Sequence, residues 1–174
     1  MSAINLKILL AGDEAVGKTS LIRRLVKNEF AQDYKPTLGF EITIYTLQID
    51  QTSVNFVIWD IAGQTAFESV RKSYYKESRG FLIVFNLVNR ISLRNLEYWV
   101  KEIRETCPDA PLVLIGNKAD LPDIKVSAGE MQQAAQKLGA TNSIITSAKT
   151  GQGVRDAFIM LGKAILASTP LKTI

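Results

Sequence analysis

Two segments of this chain, Phe81-Leu82-Ile83-Val84-Phe85 and Leu112-Val113-Leu114-Ile115, are continuous apolar runs. A strand with one wet face alternates apolar and polar side chains, whereas a strand covered on both faces does not. The runs therefore predict a sheet with helices packed on either side. Leu6-Lys7-Ile8-Leu9-Leu10-Ala11 reads as another buried strand, and a helix begins near Gly17. Phe40 to Ile49 alternates, Ile42, Ile44 and Thr46 against Glu41, Thr43 and Tyr45, which predicts a half-exposed strand. Val54 to Trp59 follows after Asp50-Gln51-Thr52-Ser53, so these two form a hairpin. Leu93, Leu96, Val100 and Ile103 recur at helical spacing, and 127–138 and 154–166 read as two further helices. Ser127-Ala128-Gly129-Glu130 is a capping-box start. Ser143 to Thr146 is a last short strand. The expected fold is α/β in three layers, a six-stranded, mostly parallel sheet with one antiparallel strand and about five helices. At 174 residues, 1–174 suits a single domain.

Composition removes whole classes of chemistry. There is no histidine, which excludes Ser-His-Asp and Cys-His nucleophile systems, His general bases and His-ligated metals. The one cysteine, Cys107, allows no intrachain disulfide and no Cys-rich zinc site. Chemistry is left to carboxylates, Lys and Arg, hydroxyls, amides, backbone N–H groups and an oxygen-bound metal. The net charge is +4, but charges of both signs are interspersed and no basic run reaches nucleic-acid-patch length, so no nucleic-acid partner is expected. No apolar run approaches the roughly 20 residues of a membrane-spanning helix, and the first residues lack a signal-peptide pattern. A cytoplasmic monomer is the expectation.

The strongest motif is Gly12-Asp13-Glu14-Ala15-Val16-Gly17-Lys18-Thr19, which fits G-x-x-x-x-G-K-[S/T] between a strand and a helix. In that context successive backbone N–H groups and a helix N-terminus converge on an anionic phosphate. Lys18 adds a point charge at the β- and γ-phosphates, and Thr19 offers a hydroxyl oxygen to Mg²⁺. Asn117-Lys118-Ala119-Asp120 follows the fifth strand. The Asp120 carboxylate can accept from the adjacent N1–H and 2-amino donors of guanine. Adenine would leave it unpaired, a mismatch of several kcal/mol in a buried site. The stem of Lys118 can lie over the base, and Ser147-Ala148-Lys149 can place the Ala148 N–H near a purine oxygen. In a doubly wound sheet all these loops fall on one side.

Five motifs in one order resemble the Ras superfamily of small GTPases from about Leu6 to Leu166: GDEAVGKT at 12–19, Thr37 in YKPTLG at 34–39, WDIAGQ at 59–64, NKAD at 117–120 and SAK at 147–149. Trp59 and Tyr74-Tyr75-Lys76 are similar to the Rab branch, while Ala15 before Val16 is equally similar to the Rho branch. The resemblance implies a P-loop nucleotide-binding domain that hydrolyses GTP to GDP with Mg²⁺. It implies that Asp13, Glu14, Ala15, Val16, Gly17, Lys18, Thr19 and Ser20 wrap the phosphates, and that Thr19 and Thr37 ligate Mg²⁺ with Asp60 holding it through water. Phe30 would pack edge-on to guanine, and Tyr34 would lid the phosphates. The Gly63 N–H would report on the γ-phosphate, and Gln64 would orient the attacking water. Asn117, Lys118, Asp120, Ser147, Ala148 and Lys149 would form the base pocket. Lys18, Thr37, Gly63 and Gln64 carry the catalytic roles. Hydrolysis would release the segments tied to the γ-phosphate. Effectors, exchange factors and GTPase-activating proteins would read residues 31–42 and 61–76, with Ile42, Trp59 and Tyr74 as apolar contacts.

Departures from the family pattern set further expectations. Glu14 stands where the family usually has a small residue. Its carboxylate either repels a γ-phosphate or obstructs an arginine finger, or else points to solvent or pairs with a nearby Lys. On the first alternative, Glu14→Gly raises the response to an arginine-finger activator. Thr65 follows Gln64 where Glu is usual, and Ile61 replaces Thr, which puts ordinary exchange-factor action in doubt. No Cys lies near the end of this sequence and Met1-Ser2 does not fit N-myristoylation, so no lipidation site is read. Membrane association would need a tail absent here or a partner. Two other readings stay open: a GTP/GDP-binding interaction module with negligible hydrolysis, and a P-loop ATPase or kinase, against which Asn117 and Asp120 argue.

Overall fold

A computed structural model describes residues 3–63 and 68–168. In chain order the elements are β1 (Ile4–Ala11), α1 (Lys18–Lys27), β2 (Phe40–Ile49), β3 (Thr52–Ile61), α2 (Glu68–Tyr75), β4 (Gly80–Asn86), α3 (Arg90–Arg94), α4 (Leu96–Thr106), β5 (Leu112–Asn117), α5 (Ala128–Leu138), β6 (Asn142–Ile145) and α6 (Val154–Ser168). The six strands form one sheet in the order β2-β3-β1-β4-β5-β6. Only β2 runs antiparallel, against β3, and every other pair is parallel. This is the expected architecture. Five helices have eight residues or more, and α3 is a five-residue turn.

Strand side chains alternate between faces, and β1 divides its residues accordingly. Leu6, Ile8 and Leu10 enter one core with Leu21 and Leu25 of α1 and Phe158 and Leu161 of α6. Leu9 and Ala11 enter the opposite core with Tyr75 of α2, Trp99 and Ile103 of α4 and Met131 of α5. β4 and β5 are buried along nearly their whole length, which is why their sequences are unbroken apolar runs. The expected capping box is present, with the Ser127 side chain accepting from Glu130 N and Glu130 reaching back to Ser127 N.

Three local expectations change. The hairpin turns on Asp50 and Gln51 alone, because Ile49 already pairs with Thr52. Asp50 adopts φ 52, a left-handed conformation that Asp tolerates in tight turns. The apolar period from Leu93 to Ile103 predicts one helix, but the chain makes two, separated at Asn95. Asn89 caps the first by accepting from Ile91 N. Residues 68–75, to which the sequence reading assigns no element, form a helix within the segment expected to be read by partners.

Candidate functional site

The chain segments that follow β1, β3, β5 and β6 emerge at one edge of the sheet. With residues 28–39, between α1 and β2, they enclose a cleft of about 530 Å³. The phosphate loop 12–17 forms its floor. Ala15 at φ 62 and Gly17 at φ 104 turn neighbouring backbone N–H groups toward one side, the geometry of an anion nest. Gly17 is required there twice over, since a Cβ would also lie 2.2 Å from Asn117 Nδ2. Gly17 begins α1 with no side-chain cap, so the first-turn amides remain available to a ligand.

Lys18 Nζ donates to the carbonyl oxygens of Gly12 (2.8 Å) and Asp13 (2.7 Å). Burial pulls its ammonium down to about 8, while the carboxylates of Asp60, Asp13 and Glu14 work in the opposite direction. Gly63 closes against the same atoms: a Cβ there would meet Lys18 Nζ at 2.5 Å and the Glu14 nitrogen at 2.6 Å.

Beside Lys18 lies a set of oxygens. Thr19 Oγ1 is 2.7 Å from Thr37 Oγ1 and donates to Asp60 Oδ2 at 2.5 Å. Asp60 is 4 % exposed, and its Oδ1 has no hydrogen-bond partner among the described residues. Burial raises the pKa of its carboxyl group, against the Thr19 hydrogen bond and the Lys18 charge. Two hydroxyls and a carboxylate with an unsatisfied buried oxygen fit a hard divalent cation such as Mg²⁺.

At the other end of the cleft Asn117 knots three loops together. Its Nδ2 donates to Val16 O (2.9 Å), and its Oδ1 accepts from Thr146 Oγ1 (3.0 Å) and the Ala148 N–H (3.2 Å). Ser147 Oγ holds Asp120 Oδ1 at 2.6 Å. Arg24 of α1 grips the carbonyls of Ala148 (2.8 Å) and Lys149 (2.6 Å). Lys118 sits at φ 69, and burial lowers its pKa.

Of the residues singled out in the sequence, Glu14, Ala15, Gly17, Lys18, Thr19, Ser20, Phe30, Tyr34, Thr37, Gly63, Asn117, Lys118, Asp120, Ala148 and Lys149 line this one cleft. Asp13, Val16, Asp60 and Ser147 do not line it, though Asp60 reaches its edge through the hydrogen bond from Thr19. Gln64 and Thr65 lie outside the described residues. Asp13 turns its side chain away, where Oδ1 accepts from Trp99 Nε1 (2.8 Å) and Oδ2 from Asn95 Nδ2 (2.7 Å). Glu14 is exposed, as the second alternative has it, but its partner is not a Lys: its Oε1 accepts from Tyr34 Oη at 2.8 Å. Arg24, Asn95, Trp99 and Thr146 carried no sequence signal, because each acts on a loop distant in the chain.

A second feature lies where β2, β3 and α2 meet. Phe40 stacks on Trp59 (centroids 5.2 Å apart), and Tyr74 touches both. Lys7 Nζ covers the Trp59 ring at 4.3 Å. Ile42, opposite Trp59 in the hairpin, is exposed. The three expected apolar residues therefore share one surface, and Phe40 joins them.

The model of a family described as Ras matches residues 7–167. Ras-related protein Rab-11B of Dictyostelium discoideum is 42 % identical over 154 residues, 87 % of this chain and 70 % of that protein. Ras-related protein RABF2a of Arabidopsis thaliana is 38 % identical over 167 residues, 93 % of this chain and 82 % of that protein.

Proposed function

Since the chain belongs to the Ras family of small GTPases and is Rab-like within it, we propose that it is a molecular switch that hydrolyses GTP to GDP and phosphate with Mg²⁺. The observation that carries this reading is the single cleft, with an anion nest and hard-oxygen set at one end and Asp120 at the other. The Asp120 carboxylate takes the paired N–H donors of guanine, while Asn117 holds the loop that carries the Ala148 N–H. Thr19 and Thr37 would ligate Mg²⁺, with Asp60 holding it through water, and the ion would neutralise phosphate charge. Lys18 leaves its two carbonyls for the β- and γ-phosphates, and the Gly63 N–H binds a γ-phosphate oxygen. Gln64 orients a water in line with the γ-phosphorus. That water forms the new P–O bond as the bond to the β–γ bridging oxygen breaks. The slow intrinsic turnover expected of such a site suits a timer.

Segments 31–42 and 61–76 present the two states to effectors, exchange factors and activating proteins, with Phe40, Ile42, Trp59 and Tyr74 as the apolar contact. The Rab-like relatives support a role in vesicle trafficking. No helix among the described residues is long and apolar enough to cross a membrane, so attachment would come through a lipidated tail or a partner.

A nucleotide-binding module with negligible turnover is the second reading, favoured by the Glu14 carboxylate at the phosphate end of the cleft. Single-turnover GTP hydrolysis with Mg²⁺, wild type beside Gln64→Leu and with ATP as control, separates them. Phosphate release from GTP that Gln64→Leu suppresses supports the switch. Tight GTP binding without release from either protein supports the module, and ATP turnover refutes both.

A further inference from the structure

Residues 28–39 form an irregular, largely exposed segment over the cleft. Among the described residues, the side chains of 29–39 are fastened to the rest of the molecule at two points. One is Thr37, whose hydroxyl meets Thr19 within the cation-binding oxygens. The other is Tyr34, whose Oη donates to Glu14 Oε1 at 2.8 Å, across 20 residues of sequence. Both partners of this second bond belong to the protein, and neither is one of the oxygens assigned to the metal. Partial desolvation and the adjacent carboxylate push the Tyr34 phenol up to about 12, so it stays a donor at any physiological pH. Glycine or alanine at position 14 has no acceptor to offer.

We propose that Glu14 and Tyr34 form a clasp over the phosphate end of the cleft, and that this clasp slows the release of bound nucleotide. The proposal rests on the reading of the cleft as a guanine-nucleotide site. Its logic is mechanical: a phosphate leaving past loop 12–17 must first part Tyr34 from Glu14, so the bond adds to the barrier for exit. Simple electrostatics predicts the reverse sign, since a carboxylate near phosphates repels them and its removal would slow release.

The test is displacement of a fluorescent N-methylanthraniloyl GDP by excess GDP in Mg²⁺, followed by stopped flow. Wild type is compared with Glu14→Ala, Glu14→Gln, Tyr34→Phe and the Glu14→Ala/Tyr34→Phe double variant. One charge-assisted hydrogen bond at an exposed site predicts that Glu14→Ala and Tyr34→Phe each speed release on the order of fivefold. The double variant releases no faster than either single one, because both remove the same bond. Glu14→Gln keeps an acceptor oxygen and retains most of the wild-type slowness. Slower or unchanged release from Glu14→Ala overturns the clasp, as do effects that multiply in the double variant. Equilibrium titration of the wild type with the same probe separates the two levels. Tight binding combined with failed variant predictions refutes the clasp alone, whereas no binding refutes the nucleotide reading and the clasp with it.

Discussion

Arg71 of α2 and Glu102 of α4 are both charged and both buried, with side chains 4 % and 2 % exposed. Glu102 Oε1 accepts from Arg71 Nε (2.8 Å) and Tyr75 Oη (2.7 Å), and Oε2 accepts from Arg71 Nη2 (2.7 Å). Glu102→Ala leaves a guanidinium and a phenol without their carboxylate. Removing one partner of a buried pair costs about 3–5 kcal/mol. Arg71 keeps Tyr98 Oη at 2.9 Å and the face of Trp99 at 4.8 Å, which places this site at the lower end, about 3 kcal/mol. For a chain of this size that lowers Tm by roughly 6–12 °C.

Urea unfolding at a fixed, saturating guanine-nucleotide concentration measures the loss, with an unchanged denaturant slope as the sign of two-state behaviour. The pair Arg71→Met/Glu102→Leu should recover most of the loss, since apolar replacement of a buried ion pair is often neutral. The effect also carries a pH signature. Burial pushes the Glu102 carboxyl up, but the hydrogen bonds from Arg71 and Tyr75 outweigh it and hold it below its ordinary value of 4.5. A carboxyl with a lowered folded-state pKa contributes its full stability above the unfolded value and loses it as pH falls through the folded one. The wild-type and Glu102→Ala stability curves should therefore stay parallel near neutrality and converge below about pH 4.5. A cost under about 1 kcal/mol at pH 7, or curves that stay parallel into acid, would refute the assignment of this pair as a buried brace.

Trp99→Phe keeps an aromatic ring beneath Arg71 but removes the N–H to Asp13 Oδ1; thermal unfolding should show a loss of about 1–3 kcal/mol. Ser127→Ala deletes one half of the α5 capping box and should cost about 1 kcal/mol in urea unfolding. Asp120→Asn replaces an acceptor pair by one acceptor and one donor. GDP affinity should fall on the order of a hundredfold or more, and xanthosine diphosphate, with an acceptor at position 2, should bind better than GDP in a competition titration.

The sheet was legible because burial on two faces leaves β4 and β5 no polar positions, and because the alternation of β2 marks its open face. The site was legible wherever a loop's chemistry is local, as in the Gly-Lys-Thr turn into α1 or the run Asn117 to Asp120. It was not legible where a side chain serves a distant segment. Asn117 reads as a base contact, and the sequence does not announce that its amide also ties the phosphate loop to the loops after β5 and β6. Asp13 reads as part of a phosphate cradle, yet its carboxylate is held by α4. Nothing in the sequence around Arg71 announces the buried Glu102 that receives it.

Two of these residues, Asp13 and Arg71, meet at a third. Trp99 is 1 % exposed. Its indole N–H holds Asp13 of the phosphate loop, and its ring face carries Arg71 of α2. Asp13 in turn offers its backbone carbonyl to Lys18, and the Gly63 position is pressed against the same peptide. The floor of the cleft and the helix beyond Gly63 are therefore both registered against α4, a rigid element packed on the sheet, and not only against each other. Close-packed cores respond to displacement in discrete steps, because sliding a filled interface by a fraction of an ångström forfeits contact energy on both sides. A shift of α2 that lifts Arg71 from the indole must break the bidentate Glu102 contact or carry α4 with it. That raises the barrier between arrangements of α2 while leaving the phosphate loop, anchored by Asn95 as well, in place through the change.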